Sequence, residues 1–481
     1  MGLEEKKNYI YNVIYRLSIC ILPLAVTPYV ARVLGAEQVG LYSFSSTIAC
    51  YFIMFGKLGL DNYGNRSIAA CREDMEKRSR VFLGIYIVQM ITALLSVLVF
   101  VLLILTVFRA DARVYWMQLI YVASVLFDVS WFFYGMERFR ITTIRSLISR
   151  ALIILLVFVF VHTERDLWVY TCVMSVCFLL EQLQLLPFLS GQIRRVPLKK
   201  EDVLCHIIPN IKLFFPLFAL SIYNWLDKVM LGVMVKSTAV VAFYVYAENI
   251  INLPKGILSA LDTVMLPRIS NLVANRRQEE GIRKMKGSIR FNSFICCALC
   301  FGIAGVAPSF VPWFFGAEYT PAVVLTMELA IVMIPMSIVN VVQTQYLIPF
   351  HREPVYIWSV SLGAITNVIL NLSLIPRFGA SGAVIGTLGA ELAVCIYQIL
   401  HIRKIYNFGM LFRMLLPFLI CGILEFAATY SLGGLPLNIF PVLVIQIIAG
   451  GIVYLAGCGI YVIFISREYR SVGHLLRSFK L

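Results

Sequence analysis

The sequence predicts an all-α polytopic membrane protein of about fourteen transmembrane helices, two pseudo-symmetric six-helix lobes around a central cavity plus two C-terminal helices. Three observations predict it. The 481 residues are 60% hydrophobic and only 14% charged, with a mean hydropathy of +0.85, far from the balance of a water-soluble chain. Apolar runs near bilayer length recur along the whole chain, bounded by charges or turn residues. A weak internal repeat sets Gly35 to Arg66 beside Ser237 to Arg268, with Tyr42 matching Tyr244 and Arg66 matching Arg268. Glu181 and Glu391 also hold similar places in the last helix of each half. Six helices per half is an even number, so the two halves share one orientation in the membrane.

The runs lie at 8–33, 40–60, 81–108, 113–135, 142–162, 167–189, 209–235, 239–267, 288–315, 321–349, 355–376, 380–402, 410–432 and 439–466. They divide the chain into an N-terminal lobe at 1–190, a cytoplasmic linker at 191–208, a C-terminal lobe at 209–404, and two peripheral helices with a tail at 405–481. The first run is too long, and too poor in a small-residue cleavage site, for a removed signal peptide. Most of the 41 Lys and Arg fall on the N-terminal side of the membrane, while Arg109, Arg113, Arg165, Lys236 and Arg377 face the other. The positive-inside rule therefore places both termini in the cytoplasm. The net charge of +15 is juxtamembrane bias and attraction to lipid headgroups, and nucleic acid is not an expected partner.

Helix 8–33 carries Asn12, Arg16, Cys20, Pro23 and Thr27 on one stripe, with Arg32 on another face near the outer end. Arg16 and Arg32 can each snorkel to opposite headgroups or face a cavity. Helix 40–60 repeats the pattern through Ser46, Cys50 and Lys57, with Lys57 a turn from the inner boundary, where snorkelling explains it. Residues 65–80 read as a short amphipathic helix on the inner surface. Helix 113–135 brings Asp128 two turns above its inner end, where it can pair with Arg150 of the next helix or carry a proton. The aromatics Trp131 to Tyr134 read as interface anchors. Glu181 is a second carboxylate at depth.

Helix 209–235 places Ser221, Asn224 and Lys228 on one face, with Asp227 diverging from Lys228 by about 100°. Helix 239–267 is the most informative. Glu248, Asn252, Lys255, Ser259 and Asp262 recur at spacings of 4, 3, 4 and 3, a single narrow stripe on an α-helix. Charges at membrane depth are costly unless they face water, a partner or a substrate, so the stripe implies a polar cavity enclosed by other helices. The bland alternative is an internal Glu248–Lys255 pair. Farther on, Asn367 with Asn371 reads as a hydrogen-bonding pair, and Gly379, Gly382, Gly386 and Gly389 favour close packing of helix 380–402.

Several functions are excluded. No segment between helices exceeds about 25 residues, which leaves no room for a soluble catalytic domain. There is no GxxxxGK[ST] and no HExxH, and the five His residues are scattered near helix ends. Cys296, Cys297 and Cys300 sit in an apolar run without a nearby His and read as packing, so neither metal nor cofactor is expected. A carrier, passive or ion-coupled, is favoured over an enzyme.

Several motifs resemble those of bacterial polysaccharide repeat-unit flippases, the Wzx group, in the multidrug, oligosaccharidyl-lipid and polysaccharide exporter superfamily. They are Thr27-Pro28-Tyr29-Val30-Ala31-Arg32-Val33-Leu34-Gly35 leading to Val39-Gly40-Leu41-Tyr42-Ser43-Phe44, Leu58-Gly59-Leu60 with Arg66, Trp131 to Glu137, Asp227-Lys228-Val229-Met230-Leu231-Gly232, and Ile375-Pro376-Arg377-Phe378-Gly379-Ala380-Ser381-Gly382-Ala383. The resemblance implies two six-helix lobes with alternating access in the bacterial inner membrane. The substrate it implies is an undecaprenyl-pyrophosphate-linked oligosaccharide passing from the cytoplasmic to the outer leaflet. It also implies a cationic cavity, for which Arg16, Arg32, Lys57, Arg150, Lys228 and Lys255 are the candidates, with Asn224 and Asn252 beside them. Asp128, Glu181 and Glu248 are the candidates for coupling to H+ or Na+. Membrane lipids and polysaccharide polymerase machinery are the further partners it implies. A cation-coupled drug exporter or a lipid II flippase of the same superfamily is the alternative. A membrane glycosyltransferase or polymerase is the less favoured reading, since it would need a large outer loop or a catalytic acidic motif that this sequence does not show.

Overall fold

The computed structural model describes residues 3–461, with side chains given from Val26 onward except those of Tyr223 and Ala260. Arg16 therefore lies outside the described side chains. Among the described residues, thirteen helices are long and apolar enough to cross a membrane. Fourteen runs become thirteen because 8–33 and 40–60 are joined in one helix, α1 (Leu3–Lys57), whose geometry breaks at Gly35 with φ 74 and ψ 168. A side chain is strained at that φ, so glycine marks the joint between the two spans.

The helices following α1 are α2 (Leu60–Ala69), α3 (Met75–Thr106), α4 (Ala112–Ala123), α5 (Ser130–Gly135), α6 (Phe139–Phe160), α7 (Leu167–Leu183), α8 (Lys200–Leu204) and α9 (Ile207–Met234). Next come α10 (Ala239–Ala274), α11 (Gln278–Phe315), α12 (Pro321–Val342), α13 (Glu353–Phe378), α14 (Ala380–His401), α15 (Phe408–Leu432) and α16 (Ile439–Ile460). The surface helix expected at 65–80 is instead α2 followed by a turn, in which the Asp74 carboxylate accepts from the Glu76 and Lys77 amides at 3.0 Å and caps α3. Arg72 in that turn donates to Glu137 at 2.7 Å, and this bond holds the Glu137 carboxyl below its ordinary range.

Two compact units emerge. Unit 1 is Met1–Val229 with Ser237–Ala242; unit 2 is Met230–Lys236 with Phe243–Leu481. The linker expected at 191–208 lies inside unit 1, which also takes most of α9. Aromatic contacts account for that. Phe55 packs on Phe214 and Phe218 at 5.4 and 5.6 Å, Tyr51 packs edge-on against Trp225 at 5.6 Å, and the Tyr51 hydroxyl donates to the Ser221 carbonyl at 3.1 Å. At the start of α10, Glu37 accepts from Ser237 Oγ at 2.8 Å and from the amides of Thr238 and Ala239 at 3.2 and 3.3 Å. An acceptor at orphan amides of a helix N-terminus is a cap supplied from another helix. Gly40 permits the approach, since a Cβ there would lie 1.8 Å from the Thr238 carbonyl oxygen.

In unit 2, α13 and α14 pack along much of their length, and the glycines explain it. A Cβ on Gly382 would meet the Leu374 carbonyl at 2.5 Å, one on Gly386 the Asn371 Oδ1 at 2.0 Å, and one on Gly389 the Leu370 side chain at 2.4 Å. Gly379, at φ 57, makes the turn between the two helices. Asn371 donates to Asn367 at 3.1 Å along α13 itself, so the expected amide pair forms within one helix. Replacing Gly386 by Val is expected to destabilise unit 2 by about 1–3 kcal/mol through overpacking, measured as a lower unfolding temperature in detergent. Cys296, Cys297 and Cys300 are fully buried in α11. Helices α15 and α16 pack on α11 and on each other.

Candidate functional site

In unit 1 the polar interior is built around an interrupted helix. The span expected at 113–135 runs as α4, a tight 3-10 turn at Ser124–Phe127, an extended residue at Asp128 (φ −76, ψ 106), and then α5. A break at membrane depth frees backbone carbonyls, which must find donors inside the protein. Gln89 of α3 supplies them: its Nε2 donates to the Val125 carbonyl at 2.7 Å and to the Asp128 carbonyl at 2.8 Å. Its Oε1 accepts from Trp131 Nε1 at 3.0 Å, so all the polar atoms of this buried amide are used. Trp131, Phe132 and Phe133 are fully buried, not interface anchors. Gly64 of α2 makes space for the indole, since a Cβ there would stand 2.5 Å from the ring.

Lys57, at the end of α1, reaches this break. Its Nζ lies 2.8 Å from Asp128 Oδ2 and 2.8 Å from Asp61 Oδ1, with the Asp128 side chain 7% exposed and that of Lys57 18%. The second Asp128 oxygen accepts from the Ser130 amide at 2.9 Å. Asp128 thus pairs with Lys57 and not with Arg150, and Lys57 is tied down rather than snorkelling to headgroups. An ammonium between two carboxylates leaves the cluster with one net negative charge.

A second polar group lies farther along α1. Cys50 Sγ is 4.0 Å from the Tyr121 hydroxyl, Lys228 of α9 interacts electrostatically with Cys50, and Glu181 of α7 does so with Tyr121. Two of the candidates, Lys228 of α9 and Glu181 of α7, therefore lie near the contact that Cys50 of α1 makes with Tyr121 of α4. Asp227 is buried, Lys228 half-buried and Asn224 exposed, the divergence their spacing requires. Arg150 is half-buried, and among the described residues its Nε has no hydrogen-bond partner. An arginine outside the candidate set does more: buried Arg145 donates from Nη1 to the Glu181 carbonyl at 2.7 Å and to Gln182 Oε1 at 3.0 Å, fastening α6 to the end of α7. Its place inside the run 142–162 is the signal the sequence offers for it. Arg32 is exposed near Gly35.

In unit 2 the row on α10 is graded. Glu248 and Lys255 are half-buried, Asn252 and Ser259 are exposed, and Asp262 is buried. Asp262 accepts from Gln345 Nε2 at 3.0 Å. Gln345 lies in a π-helical turn, Gln343–Leu347, that interrupts the continuation of α12. Such turns cluster at functional positions because they re-aim side chains and free backbone groups. Each unit thus repeats one device: a charged residue on the helix after the joint bonds to an interrupted helix, Lys57 to Asp128 in unit 1 and Asp262 to Gln345 in unit 2. The joints themselves, Gly35 and Ser237, are the first residues of the matched sequence segments. Among the described residues no three His, Cys, Asp or Glu side chains converge as a metal site requires.

Residues 6–273 match the family described as "Polysaccharide biosynthesis protein". The chain is 26% identical over 407 residues to a protein named "Putative O-antigen transporter" from Escherichia coli (strain K12), a match spanning 84% of this chain and 97% of that one. A protein of the same name from Shigella dysenteriae is 22% identical over 412 residues, covering 83% of this chain and 100% of the other. Among solved structures, one titled "Lipid II flippase MurJ, inward closed conformation" superposes with a TM-score of 0.72 at 16% identity, over 94% of this chain and 98% of that one. That likeness is one of fold.

Proposed function

The chain belongs to the polysaccharide biosynthesis protein family, and from that membership we propose that it is a flippase for a lipid-linked surface-polysaccharide repeat unit. It moves an undecaprenyl-pyrophosphate-linked oligosaccharide from the cytoplasmic to the outer leaflet of the bacterial inner membrane, with both termini in the cytoplasm. The observation that carries the reading is the row on α10, where Asn252 and Ser259 are exposed and Glu248 and Lys255 half-buried on a long apolar helix. A glycan and a pyrophosphate need polar partners where hydrocarbon offers none, and a fixed ammonium in a low-dielectric cavity attracts a phosphate strongly enough to replace its hydration. The match to nearly the full length of the Escherichia coli relative supports the same substrate class.

The residues are assigned roles on this reading. Lys255 and Lys228 take the pyrophosphate, Asn252 and Asn224 the sugars, and Arg16, Arg32 and Arg150 guide the headgroup. Lys57, held between two carboxylates, serves the frame more than the ligand. Asp128, Glu181 and Glu248 are the carboxylates for coupling to H+ or Na+, of which Asp128 is already neutralised by Lys57. Polymerase machinery on the outer side would receive the product.

Deleting the gene is expected to leave lipid-linked repeat units on the cytoplasmic leaflet and to abolish surface polysaccharide. Complementation with Lys255→Ala is expected to restore protein to the membrane while cutting export at least tenfold, read by surface glycan staining against immunoblot. Unchanged polysaccharide with altered drug sensitivity in the deletion would defeat the reading in favour of a drug exporter.

A further inference from the structure

The two C-terminal helices hold a carboxyl group that the proposed transport does not use. Glu425 lies in the middle of α15, is 5% exposed, and faces α11 and α16. Bare glycine backbone receives it on both sides. A Cβ on Gly302 of α11 would stand 2.9 Å from Glu425 Oε1, and one on Gly450 of α16 would stand 3.5 Å from Oε1 and from Cγ. The same seam continues one turn on, where a Cβ on Gly305 would lie 1.9 Å from Thr429 Oγ1 and one on Gly450 2.6 Å from Thr429 Cγ2. The three helices therefore approach closely along this seam.

The groups around it cannot neutralise a charge. Among the described residues, the titratable side chains in its electrostatic neighbourhood are Cys297 and Cys300 of α11 and Tyr454 and Cys458 of α16, and on α15 itself Cys421 abuts Cys458. None is basic. Among the described residues Glu425 Oε2 has no hydrogen-bond partner, and the Tyr454 hydroxyl is already spent on the Phe294 carbonyl at 2.7 Å. An ionised carboxylate in a bilayer interior, with thiols and a phenol for neighbours and one oxygen unpartnered, carries a heavy desolvation cost, which a bound proton removes.

We propose that Glu425 is a proton-binding site, occupied at neutral pH, and that its neutral acid form lets α15 and α16 close on the glycine face of α11. The inference is independent of the substrate reading and concerns only the packing of unit 2. Infrared absorption of the purified protein in lipid nanodiscs tests it, because a neutral carboxyl has a carbonyl band that a carboxylate lacks. The wild type at neutral pH is expected to show such a band, shifted in heavy water and lost in Glu425→Gln. Glu425→Asp, the second variant, is expected to keep a band at altered frequency if Glu425→Gln does not accumulate. Identical spectra for wild type and Glu425→Gln would overturn the proposal. So would a wild-type band that is absent at neutral pH and appears only on acidification, since the carboxyl would then be ionised at neutral pH.

Discussion

Lys57→Ala is expected to destabilise the protein by about 3–5 kcal/mol, because it leaves the Asp128 carboxylate buried with no cation beside it. Asp61 is no substitute: it carries the same sign, and its side chain is 56% exposed. The loss would be read as a lower unfolding temperature in detergent. Adding Asp128→Asn to the alanine variant is expected to recover much of it, since the neutral amide can still accept from the Ser130 amide. A single variant that unfolds with the wild type would show that the ion pair is dispensable to the fold and would return Lys57 to the set of substrate cations.

The second large effect is expected at Gln89. Gln89→Leu preserves bulk and removes the donor for two carbonyls and the acceptor for one indole N–H. Each buried polar group left without a partner costs about 1–3 kcal/mol, so the variant should rank with Lys57→Ala or exceed it. Gln89→Glu separates the two roles, keeping an acceptor for Trp131 and losing the donor for Val125 and Asp128. Tryptophan fluorescence reports the first loss and thermal unfolding the second. If Gln89→Leu leaves both unchanged, the interruption after α4 is held by packing alone.

The spans are legible in the sequence because bilayer thickness demands long apolar runs, and Gly379, Gly382, Gly386 and Gly389 announce the α13–α14 turn and seam by their spacing alone. The row on α10 is legible for the same reason, since helical periodicity survives whatever surrounds it. The interruption at Asp128 is not. Neither Gly nor Pro stands between Ser124 and Ser130, and the break exists because Gln89, 39 residues earlier in sequence, accommodates its carbonyls. The choice of Lys57 over Arg150 as the partner of Asp128 is likewise made by helix placement, which no local pattern encodes. Trp131 to Phe133 mislead because aromatic residues near a span's end usually meet headgroups; the small Gly64 of α2 draws Trp131 inward instead.

The order in which these partners leave the ribosome differs between the two units. Gln89 is already in the membrane when the residues it supports emerge 39 positions later, so the broken segment can be threaded laterally into lipid with its donors waiting. Asp262 has no such provision: Gln345 follows it by 83 residues, and the newborn α10 must shelter its carboxylate in the insertion channel, or neutralise it, until α12 arrives. Insertion of the second half is thereby expected to lean more on the channel or on chaperones, and truncated chains ending before Gln345 are expected to be degraded faster than those ending after it, read by pulse-chase.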